Sequence, residues 1–439
     1  MMSNILDLAG IGAGPFNLAV AALMWDKSLK HRFFEAKSEF SWHPGLMLPG
    51  AMMQTSYLKD LVTPVDPTNP YSFLAYLVEK KRFYDFLNAE QRTVSRQEFA
   101  DYLGWAAKRL DSLEMDSRVQ SVLDKGEYFE LDIHGPKGQE IVKAKNICVA
   151  SGKKPNIPEF CRPQLSETCF HALEIALRNP DVQGKRVAVI GGGQTGAEVV
   201  INLLNRQWGK PEQITWISRR SNYLPLDETP FTNDWFTPEY VNVFRQLSQH
   251  RKEQVVAEQK LASDGISPDT LKELYQLFYR LVHLEGDTNR MVLMPNREML
   301  EISKCGAYRV QLQNHLVGGT EGQEWLDADI VILCTGLSEA LPPCIAPLQD
   351  RIARDGEGRL LLSDSFAAQL NSDESDRRLY FLGTGRYSHG IAEPQLSLSA
   401  WRAAQVVNDL HRESIYDNQE SNNFMNWISP GKNLEAAVA

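Results

Sequence analysis

The sequence predicts an α/β protein with two Rossmann-like dinucleotide-binding domains, one inserted in the other: residues 1–165 and 336–439 form the host, 166–335 the insert. Three observations carry this reading. Apolar strands that run into a glycine turn and then a helical pattern occur at the N-terminus and again near residue 190, the rhythm of βαβ units on a parallel sheet. The proline-rich stretch KKPNIPEFCRP (153–163) separates the two units. KNICVASG (145–152) and DADIVILCTG (327–336) are two further apolar strands that each end in a glycine turn, as related nucleotide-binding halves would.

In chain order, ILDLAGI (5–11) reads as a strand, FNLAVAALMWD (16–26) as a helix and HRFFEAK (31–37) as the next strand. The following stretch, 42–70, is too rich in Gly and Pro for regular structure, and so long a loop in a compact domain is usually functional. SRQEFADYLGWAAKRL (95–110) has helical spacing, with Ser95 as N-cap and Glu98 at the capping-box position. Beyond the proline stretch, KRVAVI (185–190), AEVVINLLNRQ (197–207) and QITWISRR (213–220) read as strand, helix and strand. The last hundred residues return to the first domain, and the tail after about Asp417 reads as weakly ordered.

Composition narrows the function class. With 439 residues, 43% hydrophobic and 23% charged, the chain can bury two full cores. A formal net charge of -10 gives no general attraction to nucleic acid or to an acidic membrane surface. The six cysteines include no C-x-x-C pair, which removes dithiol chemistry and favours reduced thiols. His171, His250 and His389 have no metal-ligand spacing, no Gly-x-Ser-x-Gly elbow occurs, and no metal is expected. The opening MMSNILDLAG has no basic n-region and its apolar run is broken by Gly10, Gly12, Gly14, Pro15 and Asn17, so neither a signal peptide nor a membrane span is expected, and the location is read as cytoplasmic.

The two glycine turns carry the cofactor reading. At Gly10, Gly12, Gly14 and Pro15 a strand gives way to a helix, whose first amides can face a pyrophosphate. About 20 residues on, Glu35 closes the second strand, where a carboxylate accepts from ribose hydroxyls and favours FAD or NAD. The second turn, with Gly191, Gly193, Gln194, Thr195 and Gly196, is a complete G-x-G-x-x-G, and its next strand ends in Arg219 and Arg220. Guanidinium groups there would pair with a 2′-phosphate and select NADPH. An acid-tipped and an Arg-tipped site imply electrons passing from NADPH to a flavin, which can activate oxygen. The residues themselves leave electron transfer and oxygenation both open.

SWHPGLMLPG (41–50), MQTSYLKDLVTPVDPTNPYSF (53–73), GGGQTGAE and HGIAEPQLS (389–397) occur in that order. Together they resemble the siderophore N-hydroxylating monooxygenases, a family of lysine N6-, ornithine N5- and diamine N-hydroxylases, over nearly the whole chain. The F-x-G-x-x-x-H pattern of other flavin monooxygenases is absent around His171. The resemblance implies FAD and NADPH as cofactors, an amine substrate with O2, a C4a-hydroperoxyflavin as the oxygen donor and a homotetramer. It places Gln54 beside the reactive flavin edge, Trp42, His43 and His389 among the residues around the cofactor, Lys59 on a substrate α-carboxylate, and Asn233 and Ser397 at the substrate. Where ornithine enzymes carry an asparagine this chain has Ser263, in LASDGISPDTL (261–271), a form that resembles the lysine, cadaverine and putrescine hydroxylases. An ornithine hydroxylase and a non-oxygenating NADPH–flavin relay protein are the alternatives.

Overall fold

The computed structural model describes residues 5–371, 376–417 and 424–428. Strand β1 (Ile5–Ile11) lies at the centre of the first sheet, parallel to β2 (His31–Phe34) on one side and to β6 (Gly138–Val149) on the other. The short β3 (Leu113–Glu114) extends it beyond β2, while β4 (Arg118–Asp124) and β5 (Phe129–Gly135) add an antiparallel meander beyond β6. The chain then leaves on β7 (Lys154–Pro155).

A second, wholly parallel sheet follows, made of β8 (Cys169–His171), β9 (Arg186–Ile190), β10 (Gln213–Ser218), β11 (Met291–Pro295) and β15 (Ile330–Leu333), in the order β11-β10-β9-β15-β8. The β15 residues are all buried, the continuous apolar run that a sheet covered on both faces requires. A small antiparallel sheet of β12 (Arg297–Cys305), β13 (Ala307–Asn314) and β14 (Gln323–Ala328) is appended. The chain comes back on β16 (Leu337–Ser338), which pairs antiparallel with β7, and β17 (Leu379–Phe381) rejoins the first sheet parallel to β6. The two crossings thus run side by side.

Helices cover both sheets. On the first are α1 (Pro15–Leu23), α2 (Phe73–Glu79) and α4 (Arg96–Arg109), while α3 (Phe83–Asn88) packs against α2 and α12 (Ser399–His411) against α1. Between the crossings lie α5 (Ile175–Arg178), α6 (Gln194–Leu204), α7 (Pro238–Arg245), α8 (Gln249–Glu258), α9 (Lys260–Asp264) and α10 (Pro268–Tyr279). The four-residue α11 (Arg386–His389) packs against α7 and α8. Ser95 caps α4, its hydroxyl accepting from the Glu98 amide at 3.1 Å.

Several expected elements are shorter or displaced. β2 stops at Phe34 because the Glu35 side chain turns back onto the glycine loop. α6 starts at Gln194, inside the fingerprint, and ends at Leu204, three residues earlier at both ends than the pattern suggested. β10 stops at Ser218, before both arginines. The tail read as weakly ordered lies largely outside the described residues. No helix among the described residues is long and apolar enough to cross a membrane.

Candidate active site

The first glycine turn forms one end of a cavity of about 790 Å³. Gly12, with φ +85°, Gly14 and Pro15 line it, and no side chain caps the α1 N-terminus behind them. Gly12 has to be glycine on two counts, since a Cβ there would also lie 2.8 Å from the Ala150 carbonyl oxygen. Gly10 does something else. It is absent from the cavity wall, and a Cβ on it would lie 2.0 Å from the Phe33 ring, so it is a packing glycine within the sheet. Glu35 is held at the wall by the Ala13 amide on Oε2 (2.9 Å) and the Lys37 amide on Oε1 (3.0 Å), leaving each oxygen a further acceptor site for a ribose hydroxyl. Anion-accepting amides and an oriented carboxylate suit the adenosine diphosphate of FAD.

Beside it run Trp42 and His43. Trp42 packs edge-on to both His43 and Phe99. Burial, followed by the charges of Arg96 and Lys37, pushes the His43 imidazole down to about 4, so the ring is neutral where it meets the cavity. An unfolded histidine titrates near 6.5. Stability is therefore undiminished above that pH and drains away as the pH falls from 6.5 to about 4, by at most about 3 kcal/mol. Urea unfolding at about pH 7 and about pH 4.5 should show a smaller loss for His43→Gln than for the native chain; equal losses would remove His43 as the cause.

The wall of the same cavity gathers Gln54, Lys59, Asn233, Ser263 and Ser397 from four separate chain segments. The loop supplying Gln54 and Lys59 is fixed by Asp60, whose buried carboxylate accepts from the amides of Val62 (2.9 Å), Thr63 (2.7 Å) and Phe73 (2.6 Å) and from the Thr63 hydroxyl (2.7 Å). Among the described residues the Lys59 ammonium has no ion pair or hydrogen bond, and burial pulls its pKa below the usual lysine value. Among the described residues the Ser397 hydroxyl, which is buried, has no hydrogen-bond partner. Asn233 makes one long bond, from Nδ2 to the Glu228 carbonyl at 3.4 Å. A cationic group and polar atoms left open on a cavity wall are what a small polar substrate would complete. His389 stands apart: it is not in the wall, its ring stacks on Phe366 at 4.2 Å, its Nδ1 meets the Ser388 hydroxyl at 2.8 Å, and burial keeps it neutral. Its geometry is that of a packing residue.

The second glycine turn divides its labour. A Cβ on Gly191 would lie 2.1 Å from the Cys334 carbonyl oxygen, and one on Gly196 2.1 Å from the Gly191 carbonyl oxygen, which also accepts from the Trp216 indole at 2.9 Å. Both glycines serve close backbone packing. A Cβ on Gly193 would meet nothing within 4 Å, so that glycine faces the space a pyrophosphate would enter at the start of α6, beside Thr195. Gly196→Ala should cost about 1–3 kcal/mol in unfolding free energy, whereas Gly193→Ala should leave the melting temperature unchanged and raise the KM for NADPH about tenfold. A destabilised Gly193→Ala would refute this division.

Gln194 is the junction of the two sites. Its Nε2 donates to Glu198 (3.0 Å) and Thr270 (3.2 Å), and its Oε1 accepts from the Ser267 amide (2.8 Å) and from Gln54 Nε2 (3.4 Å). Glu198 in turn forms a bidentate ion pair with Arg96, at 2.8 and 3.0 Å, and Arg96 itself lines the first cavity. Sequence reading missed this pair, whose signals were present but separate: the Arg in SRQEF and the Glu in GGGQTGAE. The two arginines after β10 also differ. Arg219 pairs with Glu298 at 3.1 Å and its side chain is 70% exposed, while Nη1 of Arg220 is buried with no hydrogen-bond partner among the described residues. A buried guanidinium nitrogen left open suits the 2′-phosphate of NADPH.

Comparison with known proteins matches this geometry. The family description L-lysine 6-monooxygenase/L-ornithine 5-monooxygenase matches residues 4–339. The chain is 38% identical over 431 residues to an L-lysine N6-monooxygenase of Escherichia coli, covering 98% of this chain and 100% of that one. Among solved structures, the FAD-bound cadaverine monooxygenase of the desferrioxamine pathway from Erwinia amylovora superposes with a TM-score of 0.90 at 26% identity, over 97% of this chain and 100% of the other. The Kutzneria sp. 744 ornithine N-hydroxylase with reduced FAD, NADP+ and L-ornithine gives 0.86 at 27% identity, over 93% and 99%. Two dinucleotide cradles meeting at Gln54 and Gln194, and a family match across three quarters of the sequence, lead to one conclusion: the chain belongs to the L-lysine 6-monooxygenase/L-ornithine 5-monooxygenase family and is a flavin-dependent N-monooxygenase.

Proposed function

We propose that this enzyme hydroxylates the terminal amine of L-lysine, with the diamines cadaverine and putrescine as poorer substrates, to supply hydroxamate precursors of a siderophore. The observation that carries the choice is Lys59, a buried-side ammonium on the cavity wall with no carboxylate of its own. A substrate α-carboxylate would restore its charge balance, and a diamine has none to offer. Glu228, in the same wall, is held above the usual carboxylate range by burial and then by Asp269, and a substrate α-ammonium would relieve it.

FAD reduced by NADPH supplies the electrons that activate oxygen, one atom of which is added to the amine nitrogen. The chain's own residues then have three tasks. Gly12, Gly14 and Glu35 would hold the flavin nucleotide, and Gly193 and Arg220 the nicotinamide nucleotide. Lys59, Asn233 and Ser397 would anchor the substrate's head, so that the reacting end reaches toward Gln54. Because an alkylamine has a pKa of about 10.4, the cavity must also favour its neutral form, and desolvation between Lys59 and the aromatic wall of Phe40, Trp42 and Phe236 works in that direction.

We assign residues 166–335 to the NADPH unit and the remainder to the FAD unit, a cytoplasmic location, and a homotetramer that light scattering would read as four chain masses. The deciding experiment gives the FAD-loaded protein NADPH, oxygen and each of lysine, cadaverine, putrescine and ornithine, and counts hydroxylamine formed per NADPH. Lysine should be best coupled. If every amine yields peroxide alone, the reading is wrong.

A further inference from the structure

Helix α11 separates two hollows. Arg386, its first residue, lines the active-site cavity, whereas Tyr387 and Ser388 line a second cavity of about 1030 Å³ that shares no wall residue with the first. The second cavity opens between α7, α8, the 353–370 segment and α12. Arg245, the last residue of α7, and Lys252, in α8, both stand in its wall. Arg245 meets the carboxylate of Asp364, whose side chain is 82% exposed, and Lys252 has no ion pair or side-chain hydrogen bond among the described residues. The wall's Arg359, in contrast, is satisfied by Asp355 and Glu253.

Burial pulls Arg245 and Lys252 below their usual ranges, and the charge of Arg245 lowers Lys252 further. Burial, with the charges of Arg245, Arg402 and Lys252, also holds the neighbouring His389 neutral. Two half-desolvated cations in one wall, with a single exposed carboxylate that pairs with Arg245 alone, are unfavourable until an anion joins them. The hydroxyls of Ser363 and Ser365 stand in the same wall, 3.1 Å from one another. On a chain with a net charge of -10, a hollow whose wall carries more Lys and Arg than Asp and Glu is not a consequence of composition.

We propose that the second cavity binds a small doubly charged oxyanion, a phosphate or a dicarboxylate, between Arg245 and Lys252, and that through α11 its occupancy changes amine binding in the active site. The binding is independent of the proposed function; the coupling rests on it. The wall of α11 is the physical link, since Ser388 on the anion side is two residues from Arg386, which pairs with Asp264 at 3.5 Å in the substrate-facing wall.

The test is calorimetric titration of the FAD-loaded protein, with NADP+ present to occupy Arg220, by inorganic phosphate and separately by succinate, at constant ionic strength in chloride. Saturable binding of one or both is expected, weakened about tenfold by Lys252→Gln and largely kept by Lys252→Arg. Binding of phosphate alone points to a phosphorylated metabolite, and of succinate alone to a dicarboxylate. Neither anion binding above the chloride control overturns the proposal, as do Lys252→Gln and Arg245→Gln proteins that bind like the native one. For the coupling, the KM for lysine should shift at least about twofold with the anion in the native enzyme and not in Lys252→Gln. An unmoved native KM overturns the coupling. Calorimetry needs no turnover, so a failure to hydroxylate lysine would be recognised separately.

Discussion

Replacing Lys59 by alanine should raise the KM for L-lysine by roughly 30- to 100-fold, the loss of one charge-assisted contact of about 2–3 kcal/mol, while kcat falls much less. The asymmetry follows from the role proposed for Lys59, which would bind the α-carboxylate, a part of the substrate that does not react. Cadaverine, which presents no carboxylate, should show an unchanged or lower KM with the variant, because removing an unpartnered cation also removes a repulsion against its second ammonium. Lys59→Arg should recover part of the lysine affinity. Steady-state kinetics with both amines check this, and equal increases for both would break the link between Lys59 and the α-carboxylate. The depressed pKa of Lys59 adds a direction: as the pH rises through it, lysine binding should weaken in the native enzyme relative to the alanine variant.

Arg220→Ala should raise the KM for NADPH by about 10- to 100-fold and leave that for NADH within about twofold. Arg219→Ala should have a markedly smaller effect on NADPH, because its guanidinium is already paired with Glu298 and mostly exposed, and exposed pairs contribute little. The contrast separates two residues that the sequence treats as one feature. Initial rates of NADPH and NADH oxidation in the two variants decide it, and a loss that is the same for both nucleotides would sink the 2′-phosphate assignment for either arginine.

Much of this molecule is legible in its sequence where the determining interactions are local. The strand Ile5–Ile11, the helix capped by Ser95 and the acid or arginine after each second strand all depend on residues a few positions apart. The glycine turns were legible as turns, but the task of each glycine was not: whether Gly10 faces a ligand or Phe33, and whether Gly193 differs from Gly196, depends on what the fold brings opposite. The same holds for Gln194. Its place in the fingerprint suggests a phosphate contact, yet its side chain is committed to Glu198, Thr270, Ser267 and Gln54, partners as far as 140 residues away. Arg96 and Glu198 lie 102 residues apart, and no spacing rule joins them. His389 fell in a segment that resembles the family's cofactor-side signature, and only burial against Phe366 shows that the ring points elsewhere. The antiparallel β4–β5–β6 meander and the β12–β14 sheet lack the βαβ rhythm that marks the parallel strands, since antiparallel neighbours need no crossover helix between them.

The adjacency of β7 and β16 bears on how the first sheet closes. Leu337 stands opposite Pro155, so everything between them, including the whole second sheet, enters and leaves the host through neighbouring points. Closing a loop whose ends already touch adds little to the entropy the host must lose in folding, however long the passenger. The strand order around β1 is therefore built wholly from segments before β7 and after β16, with no strand contributed from between them.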